Sequence, residues 1–257
     1  MVQAVAPIPL GAWTELKYTT HKLVIFTGDM RMTRRTSGET TMVLAESTAR
    51  LFGSILVNSW SLSTMDLKSG RPLEFLEVKP GEKAERWKFL DNGISHEKLR
   101  PHKGAPDEPI DKWAVSRSEK LSGGADPAGW VHDYIAMIVR LRELPITKPG
   151  DQAIVRVSTN RGAVRLRVSA SDERTENRTF TDLATGAHRT VDLRELRLRV
   201  SPLEGDPAET KGLLNMEGET ELWVEAKTRT LIEISGNVPK VPGRVVITLS
   251  AYRSTGS

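Results

Sequence analysis

Apolar and polar residues alternate along most of the chain, which is the pattern of β-strands that bury one face. Over residues 13–100, short segments rich in Val, Ile, Thr, Leu and Trp are separated by turn residues. The strongest hairpin signal is the Asp-Asn-Gly sequence at residues 91–93, because Asn and Gly tolerate the positive φ of a tight turn. This turn predicts that residues 84–90 pair with residues 94–100.

The period of the pattern changes near the middle of the chain, where apolar residues recur at helical spacing. Those residues are Trp130, Tyr134, Met137, Ile138 and Leu141. Asp126 is a suitable N-cap, Pro127 suits the first helical turn, and Pro145 cannot continue a helix. We therefore predict one α-helix at about residues 127–143.

A polar stretch separates the first series of strands from this helix, and alternation resumes after it. Residues 101–129 are rich in Pro, Gly, Asp and Lys and predict a long loop with one short element at about 111–121. Within residues 191–200 the apolar phase shifts from odd to even positions, which predicts a β-bulge near Arg194.

Long antiparallel strands twist and curl, so a sheet of this size has a concave face that a single helix can cover. The sequence therefore predicts a mainly β fold, a curved antiparallel sheet forming an open or half-closed barrel with one central α-helix. We expect a single β domain over residues 13–253, preceded by a flexible segment at residues 1–12.

Composition narrows the classes of function. Hydrophobic residues make up 38% of the chain, which is enough for a packed core. A formal net charge of +4 is too small to indicate a nucleic-acid-binding protein. The absence of cysteine excludes disulfides and thiolate metal sites. The longest apolar run, at residues 134–139, is far shorter than the roughly 18 residues of a membrane-spanning helix, so no transmembrane span is expected.

Catalytic and cofactor motifs are not found in the sequence. The five histidines have no HxH or HExxH spacing, so no metal site is predicted. Serines lack the G-x-S-x-G frame, and the glycine-rich loops that bind nucleotides are missing. We therefore predict no catalytic residue and no cofactor, and we favour a protein that is not an enzyme.

Aromatic and ionisable residues on and around the helix are the candidates for ligand binding, because they would face the hollow of the sheet. For the aromatic residues, packing in the core is the competing interpretation. A second aromatic candidate is the strand with Trp223 among Glu219, Glu221 and Glu225, which is typical of a solvated face but also of a glycan site. The candidate ligand-binding residues are Trp60, Trp87, Trp113, Trp130, His132, Asp133, Tyr134, Arg140 and Arg142.

Three stretches of the chain resemble a family of bacterial exported proteins of unknown function, with a fold related to the lipoprotein-carrier half barrels. The first stretch joins residues 14–32 with residues 59–89. The second, residues 133–168, has a short helix ending in Leu-Arg and a Pro-Gly-Asp turn that opens a strand. The third, residues 221–249, has a Leu-Trp strand, a turn and a closing strand.

The resemblance implies a location in the cell envelope and a lipid-like ligand, and it carries over no catalytic residue. The chain departs from an anchored exported protein, because it shows no complete signal peptide and no lipobox cysteine. Residues 1–12 are consistent with the remnant of a removed signal peptide, which predicts a periplasmic protein; without one the protein would be cytoplasmic.

The leading functional hypothesis is a periplasmic envelope protein that binds an apolar or amphipathic ligand in the concave face of its sheet. One alternative is an enzyme acting on a glycan or lipid in the same cavity, which requires His132, Asp133 and Arg140 to converge there. A second alternative is a module that binds an envelope protein through the 101–129 loop, which requires an exposed apolar patch around Trp113.

Overall fold

A computed structural model describes residues 12–22, 26–121, 131–159, 162–203, 216–238, 241 and 243–255. Within these residues the chain forms fifteen strands, one α-helix and two short 3₁₀ turns. The helix, α1, is Tyr134–Arg140, and the 3₁₀ turns are Ile110–Lys112 and Leu141–Glu143. The predicted flexible segment at residues 1–12 stays a prediction, because residues 1–11 lie outside the described part.

The strands follow the alternating pattern of the sequence, and most of them bury one face. In chain order they are β1 (Trp13–Lys22), β2 (Phe26–Ser37), β3 (Thr40–Leu51), β4 (Ser54–Asp66), β5 (Pro72–Lys79), β6 (Lys83–Leu90), β7 (Gly93–Arg100), β8 (Ala114–Leu121), β9 (Val131–His132), β10 (Gln152–Thr159), β11 (Gly162–Asp182), β12 (His188–Pro202), β13 (Glu217–Glu225), β14 (Leu231–Asn237) and β15 (Arg244–Ser254).

All fifteen strands belong to one sheet. Its order is β8-β7-β6-β5-β4-β3-β2-β1-β15-β14-β13-β12-β11-β10-β9, so nearly every strand pairs with its neighbour in the chain. The predicted hairpin is confirmed, since β6 pairs with β7 from Ala84 opposite Leu99 to Leu90 opposite Gly93. Such local pairing forms a long antiparallel sheet that must curl to bury its apolar face.

The hairpin of β11 and β12 is long enough to close part of the sheet on itself. Beyond its pairing with β12, the end of β11 pairs in parallel with β15, where Thr181 lies opposite Ala251 and Asp182 opposite Tyr252. Strands β11 to β15 therefore form a closed circuit, while β1–β8 and β9–β10 continue the sheet on either side. The mainly β, half-closed barrel predicted from the sequence is confirmed.

The helix lies in the hollow of this sheet, as predicted, and contacts β3 and β4 on one side and β9 and β10 on the other. It begins later than predicted, because Val131 and His132 form a strand and Asp133 is the N-cap. Asp126, the predicted cap, lies outside the described residues. Asp133 is the cap because its carboxylate accepts a hydrogen bond from the Ala136 amide, which has no partner within the first helical turn.

The bulge predicted near Arg194 is wrong. The register shift lies in β11, between Ala170 and Asp172, and the pairing of β12 with β13 runs without a break. β12 needs no bulge, because it has buried residues on both of its faces. Leu196 is buried on one face, and Glu195 is buried on the other by ion pairs to Arg174 and Arg178.

Candidate functional site

The interior around α1 is filled with side chains. Ile135 and Ala136 have no exposed surface, and Met137 and Ile138 are almost as deeply buried. All four belong to one core cluster that also includes residues from β1 to β6. The concave face is therefore a packed core around the helix. Space for a ligand lies at the end of the helix.

Asp133 connects α1 to strand β4. Its side chain is 1% exposed, accepts a hydrogen bond from Ser63 Oγ on β4 at 2.8 Å and caps α1 through the Ala136 amide at 2.8 Å. Burial raises the pKa of Asp133 to about 6, although these hydrogen bonds act in the opposite direction. The carboxylate therefore has a structural function as a buried cap.

An aromatic chain runs from Tyr134 across the inner face. The Tyr134 hydroxyl and Ser61 Oγ are 2.8 Å apart, and its ring meets Phe75 edge to face at 5.0 Å between centroids. Phe75 contacts Trp87 at 5.3 Å, and Trp87 stacks on His96 at 4.7 Å. Tyr134 and Trp87, two of the candidates, are thus members of the core.

His96 has two carboxylate partners although its side chain is fully buried. Its Nδ1 lies 3.0 Å from Glu119 Oε1, and its Nε2 lies 3.1 Å from Glu85 Oε2. The hydrogen bond from His96 lowers the pKa of Glu85 to about 2, and His96 and Arg117 lower that of Glu119 against its burial. This group could not be predicted from the sequence, since the three residues lie on different strands without a motif.

Arg140, at the C-terminal end of the helix, is held by structural partners. Its Nε donates to Glu143 Oε2 at 2.6 Å, and its Nη1 donates to the carbonyl oxygen of Gly70 at 3.1 Å. Gly70 has a φ of +64°, which favours glycine, and a Cβ there would lie 2.9 Å from Arg140 Nε, so any other residue would make the guanidinium shift.

His132 is half-buried beside the helix. Its Nδ1 is buried without a hydrogen-bond partner. Burial and the nearby Arg140 lower the pKa of His132 to about 4, so the imidazole is neutral at pH 7. Since Asp133 and Arg140 are both engaged elsewhere, the three residues required by the enzyme alternative do not form a shared catalytic arrangement.

Trp60 and Trp113 lie on the opposite face of the sheet from the helix. On β4 the odd-numbered Ser61 and Ser63 face α1, so the even-numbered Trp60 points outward. Trp113 is 6% exposed and packs with Val78, Ala84 and Leu99 in a separate outer cluster. Trp113 is therefore not the centre of an exposed patch, which the interaction-module alternative requires. Trp130 lies outside the described residues.

A small cavity lies where α1 ends, between β1, β2 and the turn from β13 to β14. We call it the mouth pocket. Its enclosed volume is about 20 Å³, which has room for about one water molecule. Its apolar wall is formed by Trp13, Leu16, Tyr18, Met32, Ile138 and Leu231. Three arginines, Arg34, Arg142 and Arg229, also line it.

The charge of the mouth pocket is one-sided, because no carboxylate stands among the described residues that line it. Burial lowers the pKa of Arg34 below its usual range, and the neighbouring Arg142 lowers it further. Burial also lowers the pKa of Arg229. Arg34 and Arg229 are half-buried and Arg142 is exposed, and a half-buried cation is destabilising unless an anion compensates it.

Carboxylates do lie near Arg229, outside the lining of the pocket. Glu225, Glu173 and Asp151 attract its guanidinium, and Arg194 repels it. Glu225 accepts hydrogen bonds from the amides of Lys227 and Thr228 within the turn, and Glu173 accepts one from Arg194 at 2.7 Å. Arg229 Nη1 is buried without a hydrogen-bond partner.

Only Arg142 of the mouth pocket was among the residues proposed from the sequence. Arg34 carried a signal, because it continues the even-numbered, inward phase of Met30 and Met32 on β2 and should therefore face the interior. Arg229 carried none, since its direction depends on a left-handed backbone at a turn, where φ is +59°.

Two other surface features are less suited to a ligand. A depression of about 340 Å³ on β1–β3 is lined by Asp29 and Glu46 together with Lys17 and Arg31, so its charges balance. On β13, the guanidinium of Arg174 covers the ring of Trp223 at 3.8 Å, and Glu221 pairs with Arg197 and Arg244. The aromatic platform that a glycan would need there is therefore already occupied.

Within the described part of the chain, no three His, Asp or Glu side chains converge as metal ligands would. The same residues include no helix long and apolar enough to cross a bilayer.

No protein-family model matches the sequence, and no curated protein matches it. Among solved structures, the chain is similar to a β-barrel-like protein of Domain of Unknown Function DUF1849 from Brucella abortus. The TM-score is 0.44 and the identity 7%, over 94% of this chain and 96% of that chain. The strand order and pairing of this chain alone establish its mainly β, barrel-like fold.

Proposed function

We propose that the protein is a non-catalytic binding protein of the cell envelope that takes an amphipathic, lipid-like ligand at the mouth pocket. The observation that carries this proposal is the combination of an apolar wall with a one-sided cationic lining. An amphipathic molecule matches both, because its tail replaces water against the wall while its head meets the charge. The periplasmic location is part of the proposal and is supported only by the resemblance in sequence.

The pocket is too small for an acyl chain as it stands, so binding requires movement. The side chains available to move are those at the end of α1 and in the turn of residues 226–230, because the core behind them is tightly packed. Val139, which is half-buried and lines the pocket, is the side chain that a ligand tail would displace first.

The proposal is tested by measuring binding of dodecanoate below its micellar concentration, by calorimetry and by the rise in melting temperature. We expect the wild-type protein to bind and to be stabilised as the ligand concentration rises. Val139→Phe fills the pocket and should weaken binding at least tenfold. Ile154→Phe, at an exposed strand position, is the matched control and should leave binding unchanged. Equal binding by wild type and Val139→Phe would place the ligand elsewhere and refute the proposal.

A further inference from the structure

We propose that the mouth pocket selects an anionic head group, a phosphate or a carboxylate, through Arg34, Arg142 and Arg229. This inference rests on the proposed function and specifies the chemistry of its ligand. The three arginines come from three separate segments, namely β2, the 3₁₀ turn after α1 and the β13–β14 turn, yet their side chains line one cavity of about 20 Å³.

The guanidinium groups of Arg34 and Arg142 repel, and the partial burial of Arg34 removes water that would otherwise screen its charge, whereas Arg142 is exposed. Elsewhere among the described residues, several half-buried arginines have carboxylate partners. Arg178, for example, is paired with Glu195 at 2.8 Å. In the mouth pocket the described lining residues provide no carboxylate at all. A bound anion would supply the missing negative charge, and each guanidinium would offer it two parallel N–H donors.

The turn that carries Arg229 holds its backbone in an unusual conformation. Arg229 adopts a φ of +59°, which is unfavourable for any residue with a Cβ and is readily adopted by glycine. The backbone is fixed there by the hydrogen bond of the Arg229 amide to the carbonyl of Glu225 at 2.9 Å. An arginine in a position that favours glycine points to a function of its side chain.

The buried Nη1 of Arg229 supports the same inference independently of the backbone conformation. It has no hydrogen-bond partner, and leaving such a donor unpaired is costly. The competing explanation is an internal pair with Glu173, whose Oε1 is also buried without a partner.

The test compares three amphiphiles with the same chain: dodecyl phosphate, dodecanoate and the uncharged dodecyl glycerol ether, with inorganic phosphate as the probe without a tail. Dissociation constants are measured by calorimetry for the wild type and for Arg34→Gln, Arg142→Gln and Arg229→Gln. We expect each variant to bind the two anionic amphiphiles about tenfold more weakly and the uncharged one unchanged. Arg35→Gln is the matched control, since Arg35 is the exposed neighbour of Arg34 on β2.

Arg229→Gly separates a binding role from a structural one. Glycine adopts the positive φ without strain, so we expect the free protein to be at least as stable while anion affinity falls about tenfold. Glu173→Gln removes the internal competitor and should leave anion affinity equal or higher. Loss of stability in Arg229→Gly together with loss of affinity in Glu173→Gln would instead assign Arg229 to an internal ion pair and overturn the inference.

The outcomes distinguish the inference from the proposed function. If the uncharged amphiphile binds as tightly as the anionic ones, selection of an anionic head is refuted while lipid binding stands. If inorganic phosphate binds as tightly as dodecyl phosphate and Val139→Phe has no effect, the three arginines form a free-anion site and the lipid proposal falls. If none of the four probes binds, both are refuted.

Discussion

The buried ring of His96 lies between two carboxylates, and both of its nitrogens face an oxygen. A hydrogen bond to an ionised carboxylate is stronger than one between neutral groups. We therefore expect Glu85→Gln to lower the free energy of unfolding at pH 7 by about 1.5–3 kcal/mol, the range for hydrogen bonds to charged groups. Urea denaturation measures this change.

The pH dependence of the same variant follows from the lowered pKa of Glu85. A carboxyl with a pKa of about 2 in the folded state and 4.5 in the unfolded chain stabilises the fold above pH 4.5. That contribution is lost as the pH falls through 2. The difference between wild type and Glu85→Gln should therefore shrink from pH 5 to pH 2. Glu119→Gln is the control, with a smaller effect because Glu119 is more exposed; a difference that is constant with pH contradicts the assignment.

Asp133 should show the opposite dependence on pH. Its pKa is about 6 in the folded protein against an ordinary 3.8, so the folded state binds more protons than the unfolded chain between these values. The stability from this group is complete below pH 3.8 and is lost as the pH rises through 6, in total about 3 kcal/mol. Asp133→Asn keeps an oxygen for the Ala136 amide and removes the charge, so it should abolish this slope.

Urea unfolding curves from pH 3.5 to 7.5 measure the slope for both proteins. Asp151→Asn is the control, because the amides of Thr147 and Lys148 and the Thr147 hydroxyl lower the pKa of Asp151 and give its contribution the opposite sign. A wild-type slope that survives in Asp133→Asn would show that another group titrates there.

At the scale of elements, α1 depends on its surroundings. It has seven residues, and an isolated helix of that length is unstable in water. Ile135, which has no exposed surface, should lose about 2–5 kcal/mol of stability when replaced by alanine. Ile154→Ala, at a position that is 52% exposed, is the matched control and should change stability by about 0.5 kcal/mol or less. Equal effects of the two substitutions would contradict the placement of α1 in the core.

The strands and the helix could be predicted because their causes are local. Alternation along β6 and β7 and the Asp-Asn-Gly turn depend on neighbouring residues only. The start of the helix could not be predicted from local sequence. Asp133 is held in the position of the N-cap by a hydrogen bond from Ser63, which lies seventy residues away in the chain. The bulge was misplaced for a similar reason, since the burial of Glu195 depends on Arg174 and Arg178 of another strand.

The candidate site was less predictable than the fold. The sequence patterns favoured aromatic residues as ligand-binding candidates. The candidates that the structure describes belong to the hydrophobic clusters on the inner or outer face of the sheet, as Trp87 and Trp113 do. The mouth pocket combines β2, the end of α1 and a distant turn. The strand phase of β2 could have indicated that Arg34 faces inward, whereas the left-handed turn that orients Arg229 has no signal in the sequence.

At the scale of the whole molecule, the closure of β11 onto β15 determines the barrel. Phe180 near the end of β11 is 1% exposed and meets Tyr252 of β15 edge to face, with 6.4 Å between ring centroids. Next to it the Leu183 amide donates to the carbonyl of Tyr252 at 2.8 Å. Because this contact joins segments about seventy residues apart, its loss should open the circuit of β11–β15 before the rest of the sheet.

Phe180→Ala should therefore lower stability by about 3–5 kcal/mol and accelerate hydrogen exchange unevenly. Exchange should increase most at Leu183 and Asp182, and least at residues paired within β5–β7, such as Trp87. Thr179→Ala, at an exposed position of the same hairpin, is the control and should leave the exchange pattern unchanged. Uniform acceleration over all strands would mean that the sheet opens as one cooperative unit, and that the parallel pairing of β11 with β15 is not a separate closing step.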